Sequence, residues 1–136
     1  MADERRSLAI RDVRDVAAVR RAVSEALERL GASALKKTRL VTAASELARN
    51  TLTHGGGGTL DLQILRGAAG TGIVLVFSDK GPGIPDVTAA LRDGFTTGSG
   101  LGLGLGGAKR LCDEFEISSE VGAGTTVRVA GWLRRP

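Results

Sequence analysis

Val13, Val16, Ala17, Val19, Val23, Ala26, Leu27 and Leu30 recur at the three-and-four spacing of one helix face, with charged residues between them. Asp12 stands where an N-cap accepts the first backbone N–H groups and Gly31 where a helix stops, so the pattern predicts a helix between them. Leu40, Val41, Ala44, Leu47, Ala48 and Leu52 form a second apolar stripe, predicting a helix over residues 34–54 that ends at Gly55. Elsewhere the period drops to two. Residues 7–11 read as a short strand. Leu60, Leu62 and Ile64 alternate with Asp61, Gln63 and Leu65 as a half-buried strand, and the unbroken run from Ile73 to Phe77, leading to Asp79, suits a central one. The GAAGTG between them is a turn, so these two strands pair as a hairpin. FEISSE and TTVRVAGWL alternate as a closing hairpin around VGAG. Between the hairpins, Gly81, Pro82, Gly83 and Pro85 interrupt regular structure, residues 86–92 suit a short helix, residues 94–107 hold seven glycines, and residues 108–115 return to helical spacing.

A strand, two helices and then hairpins indicate an α+β, two-layer sandwich with helices on one face of a mixed, mostly antiparallel sheet. The 136 residues suit one domain, 1–136, because a second core would need its own residues, and neither repeat nor linker divides the chain. Hydrophobic residues at 42% and charged residues at 25% are globular proportions, but 20 glycines are about twice the usual share of roughly 7%. A net charge of +4 permits contact with nucleic acid. The basic residues are nevertheless interspersed with acids, and Phe77, Phe95, Phe115 and Trp132 make no stacking platform, so no nucleic-acid partner is expected. A phosphate-bearing small ligand or an acidic protein face suits that balance equally well. Cys112 is alone and forms no internal disulfide, MADERRSLAI has no apolar run long enough for a signal peptide, and no segment approaches a membrane span. The expected location is cytoplasmic, with no membrane partner.

Four segments carry candidate chemistry. In GSGLGLGLGG, residues 98–107, the spacing of Gly102, Gly104 and Gly107 with Glu120 downstream imitates a dinucleotide-fold fingerprint, but no strand leads into it and too little chain follows for a doubly wound sheet. A P-loop is excluded because Gly-Lys occurs nowhere. What both share survives: side-chain-free backbone whose N–H groups wrap phosphate oxygens ahead of a helix N-terminus. In SDKGPGIP, Asp79 ends a buried strand before close-approaching glycines and suits an exocyclic amine such as that of adenine; a plain strand exit with an Asx turn fits it too. In GAGTT, residues 122–126, Thr125 and Thr126 follow a tight turn that needs no ligand. In SELARN, Glu46 and Asn50 lie four apart on one helix face, with His54 next in line and suited to capping the helix end. Glu46 could act as general base and Asn50 as a hard oxygen ligand for Mg2+, although a solvated face explains the pair when taken alone.

ELARN, DKGPG, GLGLG and GTT, in this order in one small α+β chain, resemble the N, G1, G2 and G3 boxes of the GHKL (Bergerat-fold) ATP-binding superfamily. SELARN, DKGPGIPD, DGFTT and GLGLGLGGAKRLCDEFEISS are similar to the small serine/threonine kinases of bacterial anti-sigma pathways, most closely the RsbT-type switch kinases of stressosomes. The resemblance runs from about Leu8 to Arg134. It implies ATP and Mg2+ as cofactors, Glu46 as general base and Asn50 as the Mg2+ ligand and an ATP contact. Asp79 would hold the adenine amine, and Gly81 and Gly83 would shape the pocket. Gly100, Leu101, Gly102, Leu103 and Gly104 would close over the phosphates, and Thr125 would touch the adenine side through water. Lys109 and Arg110, placed one turn into the following helix, are candidates for phosphate or partner contact. The implied activity is transfer of the γ-phosphoryl group to a Ser or Thr of a STAS-domain antagonist protein, after which the released kinase activates a PP2C-type phosphatase. The segment between Ile84 and Gly100 is short for a lid, which implies weak nucleotide binding without the partner, and the lack of a phosphoaccepting histidine domain argues against a complete sensor histidine kinase. Two other readings stay open: an anti-sigma factor that sequesters a sigma factor, with ATP binding regulatory, and a nucleotide-sensing regulator without turnover.

Overall fold

The computed structural model describes residues 3–68, 70–92 and 104–135. Gly100, Leu101, Gly102 and Leu103 of the glycine loop, and the DGFTT segment, lie outside the described residues. In chain order the elements are β1 (Glu4–Ile10), α1 (Val13–Arg29), α2 (Ala34–Thr53), β2 (Gly58–Leu65), β3 (Thr71–Asp79), α3 (Val87–Ala90), α4 (Gly104–Leu111), β4 (Glu114–Glu120) and β5 (Gly124–Arg134). The five strands form one sheet in the order β1-β2-β3-β5-β4, and each of these pairings is antiparallel. Both predicted hairpins are present. The long connection through α3 and α4 puts β5 beside β3 and leaves β4 at the edge.

The helices cover one face of the sheet, where Ile10, Leu60, Leu62, Ile64, Ile73, Leu75, Phe77, Val127 and Val129 meet Val19, Val23, Leu27, Leu40 and Leu47 in one buried cluster. Burial of each large side chain there contributes about 1.5–3 kcal/mol. Asp12 caps α1 as predicted, and Asp15 completes a capping box by accepting from the Asp12 backbone N–H. Val13 opens the predicted stripe, yet it is 74% exposed because the first residue of α1 projects past the core. Ser33 caps α2, and His54 is its C-cap, its N–H bonded to the Asn50 carbonyl.

Three boundaries differ from the sequence pattern. β1 starts at Glu4, since polar Glu4, Arg5 and Arg6 pair with β2 at an edge where side chains need no burial. The short helix is confined to Val87–Ala90, with Asp86 as its N-cap. The last helix occupies Gly104–Leu111 and Phe115 belongs to β4, so glycines expected in the loop are helical instead. Gly106, Gly107 and Ala108 are buried, and a Cβ at Gly106 would collide with the Leu91 carbonyl. Close packing against α3 thus overrides the low intrinsic helix propensity of glycine.

Asp113 ties the end of α4 to the sheet and to α2. Its Oδ2 accepts from the Trp132 backbone N–H at 2.6 Å and from Lys36 Nζ at 3.1 Å. Burial pushes this carboxyl up, but the Trp132 N–H and Lys36 outweigh it and leave its pKa below the ordinary 3.8. A depressed folded pKa gives stability that is present above the unfolded value and lost as pH falls through the folded one. Asp113→Asn is therefore expected to unfold at lower urea than the wild type at pH 7, a loss of about 1–2 kcal/mol. The two urea midpoints should converge as pH drops below 3.8 toward the folded value.

Candidate active site

Glu46 and Asn50 lie one helical turn apart on α2, and His54, the next residue in that series, is exposed at its end. The Glu46 side chain is only 12% exposed, and its Oε1 accepts from Arg49 Nη1 at 2.8 Å. Asn50 is half-buried, and its backbone carbonyl accepts the N–H groups of both His54, at 2.9 Å, and Gly55, at 3.3 Å. The helix thus ends in a turn that sets Gly55 directly against Asp79, where a Cβ would collide with the Asp79 carboxylate. Eight residues at about 1.5 Å each place Glu46 about 12 Å along the helix from that carboxylate's end.

Asp79 is the last residue of β3 and stands in register with Gly58 of β2 and Thr125 of β5. Its Oδ1 accepts from Gly81 N at 2.9 Å and from Thr125 N at 3.3 Å. Among the described residues no hydrogen bond reaches Oδ2, a carboxylate oxygen able to accept one. The loop after Asp79 is held by backbone contacts. Gly81 lies against Gly55, while Gly83 at φ +79° and Gly124 at φ +115° bring backbone against the carbonyls of Glu120 and Asp79, positions a side chain would block.

Sequence reasoning missed two residues here. Ser119 Oγ accepts from Ile84 N at 2.7 Å and meets Thr125 Oγ1 at 2.8 Å, and the Gly122 N–H donates to the Pro82 carbonyl at 2.8 Å, so the Gly-Pro-Gly loop is tied to the β4–β5 hairpin. The available signal was the register of that hairpin, which puts Ser119 opposite Thr125. Arg49 was legible as a cation three residues after Glu46 on the same helix.

Lys109 and Arg110 are exposed in the last turn of α4, not its first, because the helix starts at Gly104. They complement the helix's negative end and lie at the end opposite the glycine loop. Gly104 opens α4 at φ +69°. Cys112 is no nucleophile in waiting: burial, followed by the charge of Asp113, pushes its thiol up to about 12. Among the described residues no group of three His, Cys, Asp or Glu side chains could hold a metal, and no helix is long and apolar enough to cross a membrane. A lone Asn50 oxygen fits a Mg2+ ion that takes phosphates and waters as its other ligands, and it does not fit a resident metal.

Residues 11–130 match the histidine kinase-like ATPase domain family. The chain is 39% identical over 120 residues to the serine/threonine-protein kinase RsbT of Bacillus subtilis (strain 168), covering 88% of this chain and 90% of that protein. It is 30% identical over 96 residues to the anti-sigma F factor of Thermoanaerobacter sp. (strain X514), covering 68% of this chain and 67% of that one. Among solved structures, the RsbU and RsbW domains of Rv1364c from Mycobacterium tuberculosis superpose with a TM-score of 0.67 at 22% identity, over 98% of this chain and 33% of that chain. That last likeness shows a shared fold.

Proposed function

The chain belongs to the histidine kinase-like ATPase domain family, and from that premise we propose that it is an ATP-dependent protein serine/threonine kinase whose substrate is a STAS-domain antagonist protein in a bacterial stress or sigma-factor switching pathway. The kinship to a serine/threonine kinase over nearly the whole chain supports the activity. The observation that carries the site assignment is the Asp79 carboxylate: Oδ1 is fixed by two backbone N–H groups, Oδ2 receives no hydrogen bond from a described residue, and Oδ2 abuts the glycine that ends the Glu46–Asn50 helix.

In this reading Asp79 Oδ2 accepts from the adenine amine, Gly81 and Gly83 bring backbone to the base, and Thr125 faces its adjacent edge. Gly100, Leu101, Gly102, Leu103 and Gly104 offer N–H groups to the phosphates. Asn50 holds Mg2+, which when bound neutralises charge on the terminal phosphates. Glu46 takes the proton of the substrate Ser or Thr hydroxyl as that oxygen bonds to the γ-phosphorus and the bond to the β–γ bridging oxygen breaks, releasing ADP. Its placement in a nearly buried position, held by Arg49, keeps one oxygen oriented for that proton. Lys109 and Arg110 are better suited to the partner's surface than to phosphate. The released kinase would then engage a PP2C-type phosphatase.

The test is transfer of label from γ-32P-ATP to a purified STAS-domain protein encoded near this chain, with and without Mg2+. The reading predicts Mg2+-dependent phosphate on a Ser or Thr of that protein; nucleotide bound and no label transferred would contradict it. Similarity to an anti-sigma factor favours a second reading, sequestration of a sigma factor with regulatory ATP binding. A stable sigma-factor complex on gel filtration would support that reading, and the kinase reading predicts none.

A further inference from the structure

Resting on the reading of Glu46 as the base, we infer that the substrate protein docks over the N-terminal half of α2 and that Arg39 is a specificity-determining residue there, meeting an acidic side chain of the substrate. Leu35, Arg39, Thr42, Glu46, Arg49 and Thr53 follow one another at steps of four and three residues, so they form one stripe along α2. The buried residues Leu40, Ala44, Leu47 and Thr51 lie on the other side of the helix. The stripe therefore faces away from the core: Leu35 is 67% exposed, and Arg39, Arg49 and Thr53 are exposed as well.

The direction of attack decides which half of the stripe the substrate covers. Asp79 lies past the C-terminal end of α2, against Gly55, so a nucleotide anchored there runs toward Glu46 with its terminal phosphate foremost. Attacking and leaving oxygens stand roughly in line in phosphoryl transfer, and the hydroxyl arrives from the side away from ADP. That side is the N-terminal half of α2. A specific interface covers about 800 Å2 on each partner, a patch about 30 Å across. Arg39 and Leu35 precede Glu46 by two and three helical turns, about 10 and 16 Å along the axis, and both fall under such a footprint.

The chemistry of that half is cationic. Among the described residues no carboxylate pairs with Arg39, whose Nη2 only donates to the Arg110 carbonyl at 3.4 Å, beyond the usual range of about 2.7–3.2 Å. The same contact sets Arg39 beside the last turn of α4, where Lys109 and Arg110 are exposed. Asp113, just past that turn, is already held by Lys36, Arg135 and the Trp132 N–H, and Glu46 by Arg49. An approaching protein thus meets a guanidinium with open donors one turn from an exposed leucine. Its complement is a carboxylate, gripped at two points by the planar fork, next to an apolar side chain.

Steady-state phosphorylation of the intact STAS-domain protein encoded near this chain, with calorimetry on Mg-ATP, tests the assignment. Arg39→Glu is expected to raise the KM for the protein by at least about tenfold, because it sets like charges face to face, and Arg39→Gln by about threefold. Arg39→Lys should stay within about twofold of the wild type. In all three, kcat at saturating protein and the Kd for Mg-ATP should change by less than about twofold. An unchanged KM in Arg39→Glu would overturn the inference while leaving the kinase reading intact. So would variants that shift KM and Mg-ATP affinity by the same factor, as lost packing against α4 does. Where Arg39→Glu does not fold, salt replaces it: the wild-type KM should rise with NaCl more steeply than that of Arg39→Gln, and equal slopes would overturn the inference. Wild type that transfers no label would instead remove the kinase reading on which the inference rests.

Discussion

Glu46→Gln is expected to slow phosphoryl transfer to the partner protein by about 100- to 10,000-fold, the range over which a positioned general base acts. At about 1.4 kcal/mol per decade that is roughly 3–5.5 kcal/mol of transition-state stabilisation. Mg-ATP affinity should stay within about twofold, because the proton leaves the hydroxyl only in the transition state and a carboxylate that touches no part of the nucleotide does not hold it in the ground state. Glutamine keeps the shape of the side chain and an oxygen for Arg49 Nη1, so α2 remains packed. Losing the charge of that pair costs little: Arg49 is 52% exposed, and such i,i+3 pairs contribute about 0.5 kcal/mol or less. Single-turnover transfer of label and calorimetry on the same preparation separate the two effects. A variant that still phosphorylates at the wild-type rate would exclude Glu46 as the base.

Asp79→Asn should act on the other half of the problem. Its Oδ1 can go on accepting from Gly81 and Thr125, so the loop keeps its anchor. An amide NH2 then stands where Oδ2 did, a donor facing the donor amine of adenine. Losing a charge-assisted hydrogen bond of about 1.5–3 kcal/mol predicts an ATP affinity lower by about 10- to 100-fold. At saturating ATP the transfer rate should recover to within a few fold, the reverse of the Glu46→Gln pattern. If the amide flips, it gives up the Gly81 and Thr125 bonds and the loss is no smaller. Calorimetry together with the thermal midpoint distinguishes lost recognition from lost fold, and unchanged ATP affinity would place the base elsewhere.

The parts of this molecule that depend on periodicity were legible from residues alone. The stripe from Val16 to Leu27 and the alternation through Leu60, Leu62 and Ile64 each have one physical solution, a face turned to a core, and both faces meet in the same buried cluster. The end of α2 at Gly55 was legible too, but its purpose was not: Gly55 has no side chain because Asp79, 24 residues later in sequence, lies against it. The same holds at Gly106, read as loop because glycine disfavours helices, and helical because its packing against Leu91 leaves no room for a Cβ. Ser119 stands beside Ser118 in the strand FEISSE, and alternation alone assigns neither a role. Only register, with Thr125 opposite and the Ile84 N–H above it, distinguishes it from Ser118, which alternation places on the other face. Glu46 and Asn50 could be nominated from spacing and Asp79 from its place at the end of a buried strand before glycines, whereas Arg49 went unnoticed because a cation beside an acid on a helix usually means only a solvated pair. Sequence patterns report burial well and report which distant backbones touch poorly.

The central claim is that one magnesium-nucleotide spans from Asp79 to the Glu46–Asn50 face of α2. Titration of 15N-labelled protein with Mg-ATP, with the STAS-domain partner present if affinity is low, tests it most directly. The account predicts that the amides of Gly55, Gly81 and Thr125 and the side-chain amide of Asn50 shift together along one binding curve, with the Asn50 response lost when Mg2+ is omitted. Shifts confined to another surface, or a spectrum unmoved by saturating Mg-ATP beside the partner, would contradict it.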